Sequence, residues 1–170
     1  LPSSSFVGLE EEQIKIIAWC SLKGLQTIHE VGVVAHLSSS SLIISKNGCL
    51  KVMPCPPTPQ HLKENGEWGF QDDTETLGKI LGKLLHQCKE KRSQYSYALF
   101  DFIQMCSKTE NEAQPTAELL KHEFFKGCAR LSEFELYSLV SSGVWAIMQN
   151  EAQKLLNKSQ EKPPQPPSHD

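Results

Sequence analysis

Nowhere in the 170 residues does an apolar run approach the roughly 20 needed to cross a bilayer. The opening Leu1-Pro2-Ser3-Ser4-Ser5 also lacks a basic segment ahead of an apolar one. A membrane partner is therefore not expected, and the expected location is cytoplasmic. No Cys-x-x-Cys pair joins the six cysteines Cys20, Cys49, Cys55, Cys88, Cys106 and Cys128. That spacing suits neither a zinc knuckle nor a compact disulfide framework, so reduced and mostly buried thiols are expected. Basic clustering is missing too: the net charge is -3 and Lys and Arg are scattered, which removes the nucleic-acid-binding class. What the chain does have is length enough for one domain with a sizeable core. Its first residue is Leu1 where a complete chain begins with Met, so a longer parent protein is expected.

Periodicity divides the sequence. Between Leu9 and Glu30 the apolar positions Ile14, Ile17, Ala18, Leu22, Leu25 and Ile28 recur at helical spacing, and Gly32 closes the helix. Lys46-Asn47-Gly48, flanked by Leu42 to Ile44 and Cys49 to Met53, predicts a hairpin, because Asn-Gly accepts the positive φ of its turn. Pro54, Pro56, Pro57 and Pro59 then interrupt regular structure as far as Gly69. A helix resumes near Asp72, read as its cap with Glu75 three residues on, and carries Leu77, Ile80, Leu81, Leu84 and Leu85. Further helices are predicted over Ser96 to Cys106, from Thr116 through Phe125 to Gly127, and from Ser132 to Leu156. From Lys158 to Asp170 four prolines predict a disordered tail.

Three blocks of this pattern resemble the C-terminal lobe of protein kinases. Gly24-Leu25-Gln26-Thr27-Ile28-His29-Glu30-Val31-Gly32-Val33-Val34 is similar to the end of the kinase helix ahead of the catalytic loop. Asp73 to Gly78 with Ile80-Leu81 looks like the kinase Asp, Trp-Ser-Leu-Gly segment. Asp101 to Cys106, and then Gln114-Pro115-Thr116-Ala117-Glu118-Leu119-Leu120-Lys121-His122-Glu123-Phe124-Phe125, resemble the closing kinase stretch of Arg-Pro-Thr-Ala and Leu-Leu-x-His-x-Phe-Phe. The resemblance covers roughly residues 9 to 126 and implies a mainly α fold: a kinase-like helical C-lobe with a small β-ribbon. It also implies structural roles for Asp73, Gly78, Gln114, Pro115 and His122, Asp73 receiving backbone N–H groups from the catalytic loop.

Against that pattern the chemistry is missing. Kinases work by positioning and electrostatics around the phosphates, with an Asp for the hydroxyl proton and an Asn and an Asp on the metal. Aligned on the same blocks, His36 stands where the catalytic Asp belongs, Ser38 where a Lys is usual and Ser41 where the Asn belongs. The Asp-Phe-Gly position reads Pro54-Cys55-Pro56. Mg²⁺ takes oxygen ligands and a proline side chain offers none. Gly-x-Gly-x-x-Gly and Val-Ala-Ile-Lys are absent, so no ATP-covering N-lobe is expected in this chain. Ala-Pro-Glu is absent as well, and Gln114 replaces the Arg that would pair with its Glu, so no buried charge is stranded.

The expectation is a catalytically inactive, kinase-like module that is not an enzyme, holds no cofactor or metal, and binds other proteins. The alternative is a fragment or isoform of an ATP-binding serine/threonine kinase; an unrelated helical scaffold is the third class. The expected layout is a flexible N-terminus at 1–8, the kinase-like lobe at 9–127, an additional helix at 128–157 and the tail at 158–170. Partners are expected through the helix at 132–156, with Leu136, Leu139, Val140, Gly143 and Ile147 spread over more than one face, or through the proline-rich 162–167, whose Pro-x-x-Pro spacing suits an SH3 domain. His36 reads as a loop histidine in preference to a substitute base, Ser38 to Ser41 as phosphorylation sites or as polar loop filler, and Cys55 as inert. Trp19 and Trp145 read as core residues, and Asp73, apart from the resemblance, is equally part of a helix N-terminus.

Overall fold

A computed structural model describes residues 8–57, 68–108, 115–128 and 136–160. Among them are six helices and one two-stranded antiparallel sheet, so the chain is mainly α. Helix α1 spans Glu11–Glu30, strand β1 Leu42–Ile44 and strand β2 Leu50–Val52. Helix α2 spans Phe70–Gln87, α3 Tyr97–Cys106, α4 Thr116–Leu119, α5 Tyr137–Ser141 and α6 Val144–Gln160. None of the helices among the described residues is long and apolar enough to cross a membrane.

The core follows from the apolar stripes. Ile14, Ile17, Leu22 and Leu25 of α1 and Leu77, Ile80, Leu81 and Leu84 of α2 are almost completely removed from water. Each such side chain contributes about 1.5–3 kcal/mol on burial. Phe102 of α3 sits 5.6 Å from Phe124 and 4.8 Å from Phe125, centroid to centroid, so the α3 core is aromatic. Gly78 on α2 lets α3 approach: a Cβ there would lie 2.8 Å from the Cβ of Cys106. The predicted hairpin forms, with Ile43 opposite Lys51, but only Gly48 of the Asn-Gly pair takes a positive φ, +86°.

Four boundaries differ from the sequence reading. Helix α2 starts at Phe70, and Asp72 is not its cap: in the first turn, its carboxylate accepts the N–H of Gly69 at 2.6 Å. The segment after Pro115 is not one helix. It breaks after α4, and the Nδ1 of His122 accepts the N–H of Phe124 to start a separate 3₁₀ turn, Glu123–Phe125. The last helix is also broken, because Gly143 at φ +73° separates α5 from α6. Helix α6 continues to Gln160, so the first residues assigned to a disordered tail are helical.

At the other end, Gly8 already belongs to the packed body: a Cβ there would come within 3.1 Å of the Cys88 sulfur. The next residue, Leu9, is buried, donating its N–H to that sulfur at 3.3 Å and accepting the Tyr95 hydroxyl at 2.8 Å. The N-terminal segment 1–7, Gln114, the start of the predicted last helix and the proline-rich 162–167 lie outside the described residues. Burial of the thiols is less complete than expected: Cys88, Cys106 and Cys128 are buried and Cys20, Cys49 and Cys55 half-buried.

Candidate functional site

The loop between α1 and β1 is anchored by a carboxylate from α2. Asp73 lies at the N-terminal end of that helix, fully buried, and accepts the N–H of Ala35 at 2.8 Å and the N–H of Leu37 at 2.9 Å. Its remaining acceptor capacity goes to His29 Nε2 at 2.9 Å and to the indole N–H of Trp68 at 3.2 Å. A carboxylate is acceptor-only, so the proton between it and His29 belongs to the imidazole Nε2. Burial alone would raise the Asp73 pKa, but the hydrogen bonds from His29, Leu37, Ala35 and Trp68 outweigh it and hold the group below its ordinary 3.8. His29 in turn stacks on Phe70, ring centroids 4.6 Å apart.

His36 sits between the two anchored amides with φ at +50°, the only non-glycine with positive φ among the described residues. Such a conformation costs on the order of 1–3 kcal/mol and persists where neighbouring bonds hold it. Here the N–H groups on either side both point to one buried anion. The His36 ring lies 6.2 Å from that of Trp68.

Past Leu37 the chain forms a 3₁₀ turn at Ser39–Ser41 that sequence patterning does not reveal. The Ser41 hydroxyl accepts the N–H of Ser38 at 3.1 Å, and the Ser38 hydroxyl lies 2.8 Å from that of Ser40. Ser39 is held from the far side: its hydroxyl shares its one proton between the carbonyl of Gln149 at 3.2 Å and the side-chain oxygen of Gln153 at 2.8 Å. Gln149 returns bonds to the carbonyls of Ser39 and Leu42, and the indole N–H of Trp145 also donates to Leu42 at 3.2 Å. Helix α6 thus packs on the serine turn as well as on α2.

Beyond β2 the chain runs back alongside this turn. Met53 donates its N–H to the carbonyl of Ser41 at 2.8 Å, and Cys55 to that of Ala35 at 2.9 Å. The Cys55 sulfur is 3.4 Å from the Ser41 hydroxyl. Hence the segments holding His36, Ser38, Ser41 and Pro54 are neighbours, bringing together the positions singled out from the sequence. The side chains offered there are hydroxyls, an imidazole, a thiol and a proline ring. Among the described residues no group of three or more His, Cys, Asp or Glu side chains is placed to hold a metal ion.

The other singled-out residues take structural positions. Gly78 and Pro115 shape the α2–α3 contact and the start of α4. His122 donates from Nε2 to Asp101 at 3.0 Å while its Nδ1 caps the next turn, which fixes the tautomer. Trp145 is core, and Trp19 rests half-buried against Phe125 at 5.4 Å. Sequence reasoning did not single out Trp68 or His29 as partners of Asp73, or Ser39 as the seat of α6. His29 lay inside a block already noted, whereas an indole five residues from Asp73 carried no signal.

Among the described residues are two clefts that lie elsewhere. One of about 530 Å³ lies between α1 and β2 and includes Trp19, Cys20, Lys23 and Met53. The other, of about 470 Å³, lies between α2, α3 and α6. Neither is lined by His36, Ser38, Ser41 or Pro54. No family model matches this sequence, and a search of the curated proteins finds no significant match.

Proposed function

We propose that this chain is a protein kinase-like C-terminal lobe that transfers no phosphate and serves in the cytoplasm as an interaction or regulatory module binding other proteins. One observation carries the reading: a buried carboxylate at the start of α2 collects the N–H groups of Ala35 and Leu37, on either side of His36. That is the loop anchor the sequence resemblance implies for Asp73. Around it, the positions where such a fold needs an Asp, an Asn and a second Asp hold His36, Ser41 and Pro54. Without those oxygens a magnesium ion bridging the phosphates of a nucleotide lacks its protein ligands.

The test is a thermal melt of the whole chain with ATP and Mg²⁺. Ligand bound at about 100 times its Kd adds roughly 2.7 kcal/mol to folding, a readily seen rise in midpoint. The expected midpoint is unchanged by the nucleotide and its metal. A saturable, Mg²⁺-dependent rise would refute the reading.

A further inference from the structure

The cleft between α2, α3 and α6 combines apolar and cationic side chains. Its floor is apolar, built from Leu85, Phe100, Ile103 and Leu155, and its lip carries Lys79, Lys83, His86 and Arg92. Among the described residues no carboxylate lines it. Lys79 is engaged by Glu75 at 2.6 Å, but Lys83, His86 and Arg92 form no ion pair among the described residues. Lys83 is half-buried and lines the cleft.

Gly82 supplies an independent observation. It lies in the interior of α2 and lines the cleft, and a Cβ built there meets nothing within 4 Å. One turn earlier, Gly78 is required by the protein itself, because a Cβ there would strike Cys106. A helix-interior glycine weakens a helix, and nothing in the chain's own packing calls for one at 82. What it does is keep open a recess of about 470 Å³, within the usual range of ligand pockets.

We propose that this cleft docks an acidic segment of a partner protein, with one apolar side chain seated over Gly82 against Phe100, Ile103 and Leu155, and flanking carboxylates at Lys83 and Arg92. The inference deepens the proposed interaction role by assigning it a face. Charge complementarity selects the acidic flanks, and the recess selects the apolar anchor. Leu155 belongs to the C-terminal helix, so the partner also bridges that helix to the main body.

Selection of the whole chain against a displayed library of random short peptides tests this. Enriched peptides are expected to carry Asp or Glu around a single Leu, Ile or Phe. Affinity, read by fluorescence anisotropy, is expected to fall with added salt and to drop about tenfold or more in Gly82→Leu, which fills the recess. The double variant Lys83→Glu with Arg92→Glu lies at the lip and is expected to lose binding to the same extent. It preserves the test should Gly82→Leu prove less stable in a circular dichroism melt. An unenriched library, enriched peptides without acidic residues, or binding that survives either folded variant would overturn the proposal. None of those results bears on the response to ATP and Mg²⁺, so the two readings fail separately.

Discussion

The inner end of α2 and the serine turn that faces it are close neighbours with opposite electrostatic characters. At the inner end, Asp73 is ionised, fully buried and surrounded by four donors from three separate stretches of chain. On the turn, Ser38, Ser40 and Ser41 bond mainly to one another, and the strand beside them brings Pro54 and Cys55. Charge is kept where it anchors the loop amides, and the turn carries neutral groups. A buried anion is tolerated only when its donors replace water, so the first region is costly to alter and the second cheap.

The comparison breaks most severely at Asp73. Asp73→Ala leaves the amides of Ala35 and Leu37 and the indole of Trp68 without their acceptor, and urea unfolding is expected to show a loss of about 4 kcal/mol. The effect depends on pH. Folded Asp73 titrates below its ordinary 3.8, so in that window the unfolded chain binds the extra proton. The stabilisation is complete above 3.8 and disappears as pH falls through the lowered folded value, so parent and Asp73→Asn are expected to converge in stability in acid.

A smaller effect distinguishes the two glycines of α2. Gly78→Ala forces a Cβ to 2.8 Å from that of Cys106 and is expected to cost about 1–3 kcal/mol. Gly82→Ala meets open space and is expected to raise stability by about 0.5–1 kcal/mol through helix propensity. Thermal melts of the two variants moving in the same direction would contradict the packing described.

The smallest expected effects are on the serine turn. Ser41→Ala removes a buried acceptor for the Ser38 amide and is expected to cost about 1 kcal/mol, whereas Ser40→Ala, on an exposed residue, is expected to stay within about 0.5 kcal/mol. Equal losses at both would mean that the turn is held otherwise than by Ser41.

Among the cysteines the same contrast applies to reactivity. Burial pushes the Cys106 thiol up to about 12, so alkylation of the native chain at neutral pH is expected to spare it until the chain unfolds.

Legibility of the sequence followed the range of the interaction. The stripes of α1 and α2 and the Asn-Gly hairpin were readable because their spacing reflects local geometry alone. The breaks at His122 and Gly143 were missed because the apolar period runs across both, although a glycine at 143 was a signal. A side-chain cap at His122 starts a separate 3₁₀ turn, and a positive φ at Gly143 separates α5 from α6. The serine turn was invisible for a related reason: its hydroxyls bond within the turn and to α6, 110 residues away in the case of Ser39 and Gln149.

The 3.6-residue and two-residue periods, with the turn chemistry of Asn47-Gly48, determine by themselves that this is a mainly helical chain with one small ribbon. They act between near neighbours, so the order of residues specifies them. Tertiary structure alone decided that Asp73 would meet Ala35 and Leu37, that α6 would close over Ser39, and that Gly82 would open on a cation-lined recess. Each of these depends on burial and on donors brought together from distant parts of the chain, and the free energy of a charge or a cavity is set by what surrounds it in space.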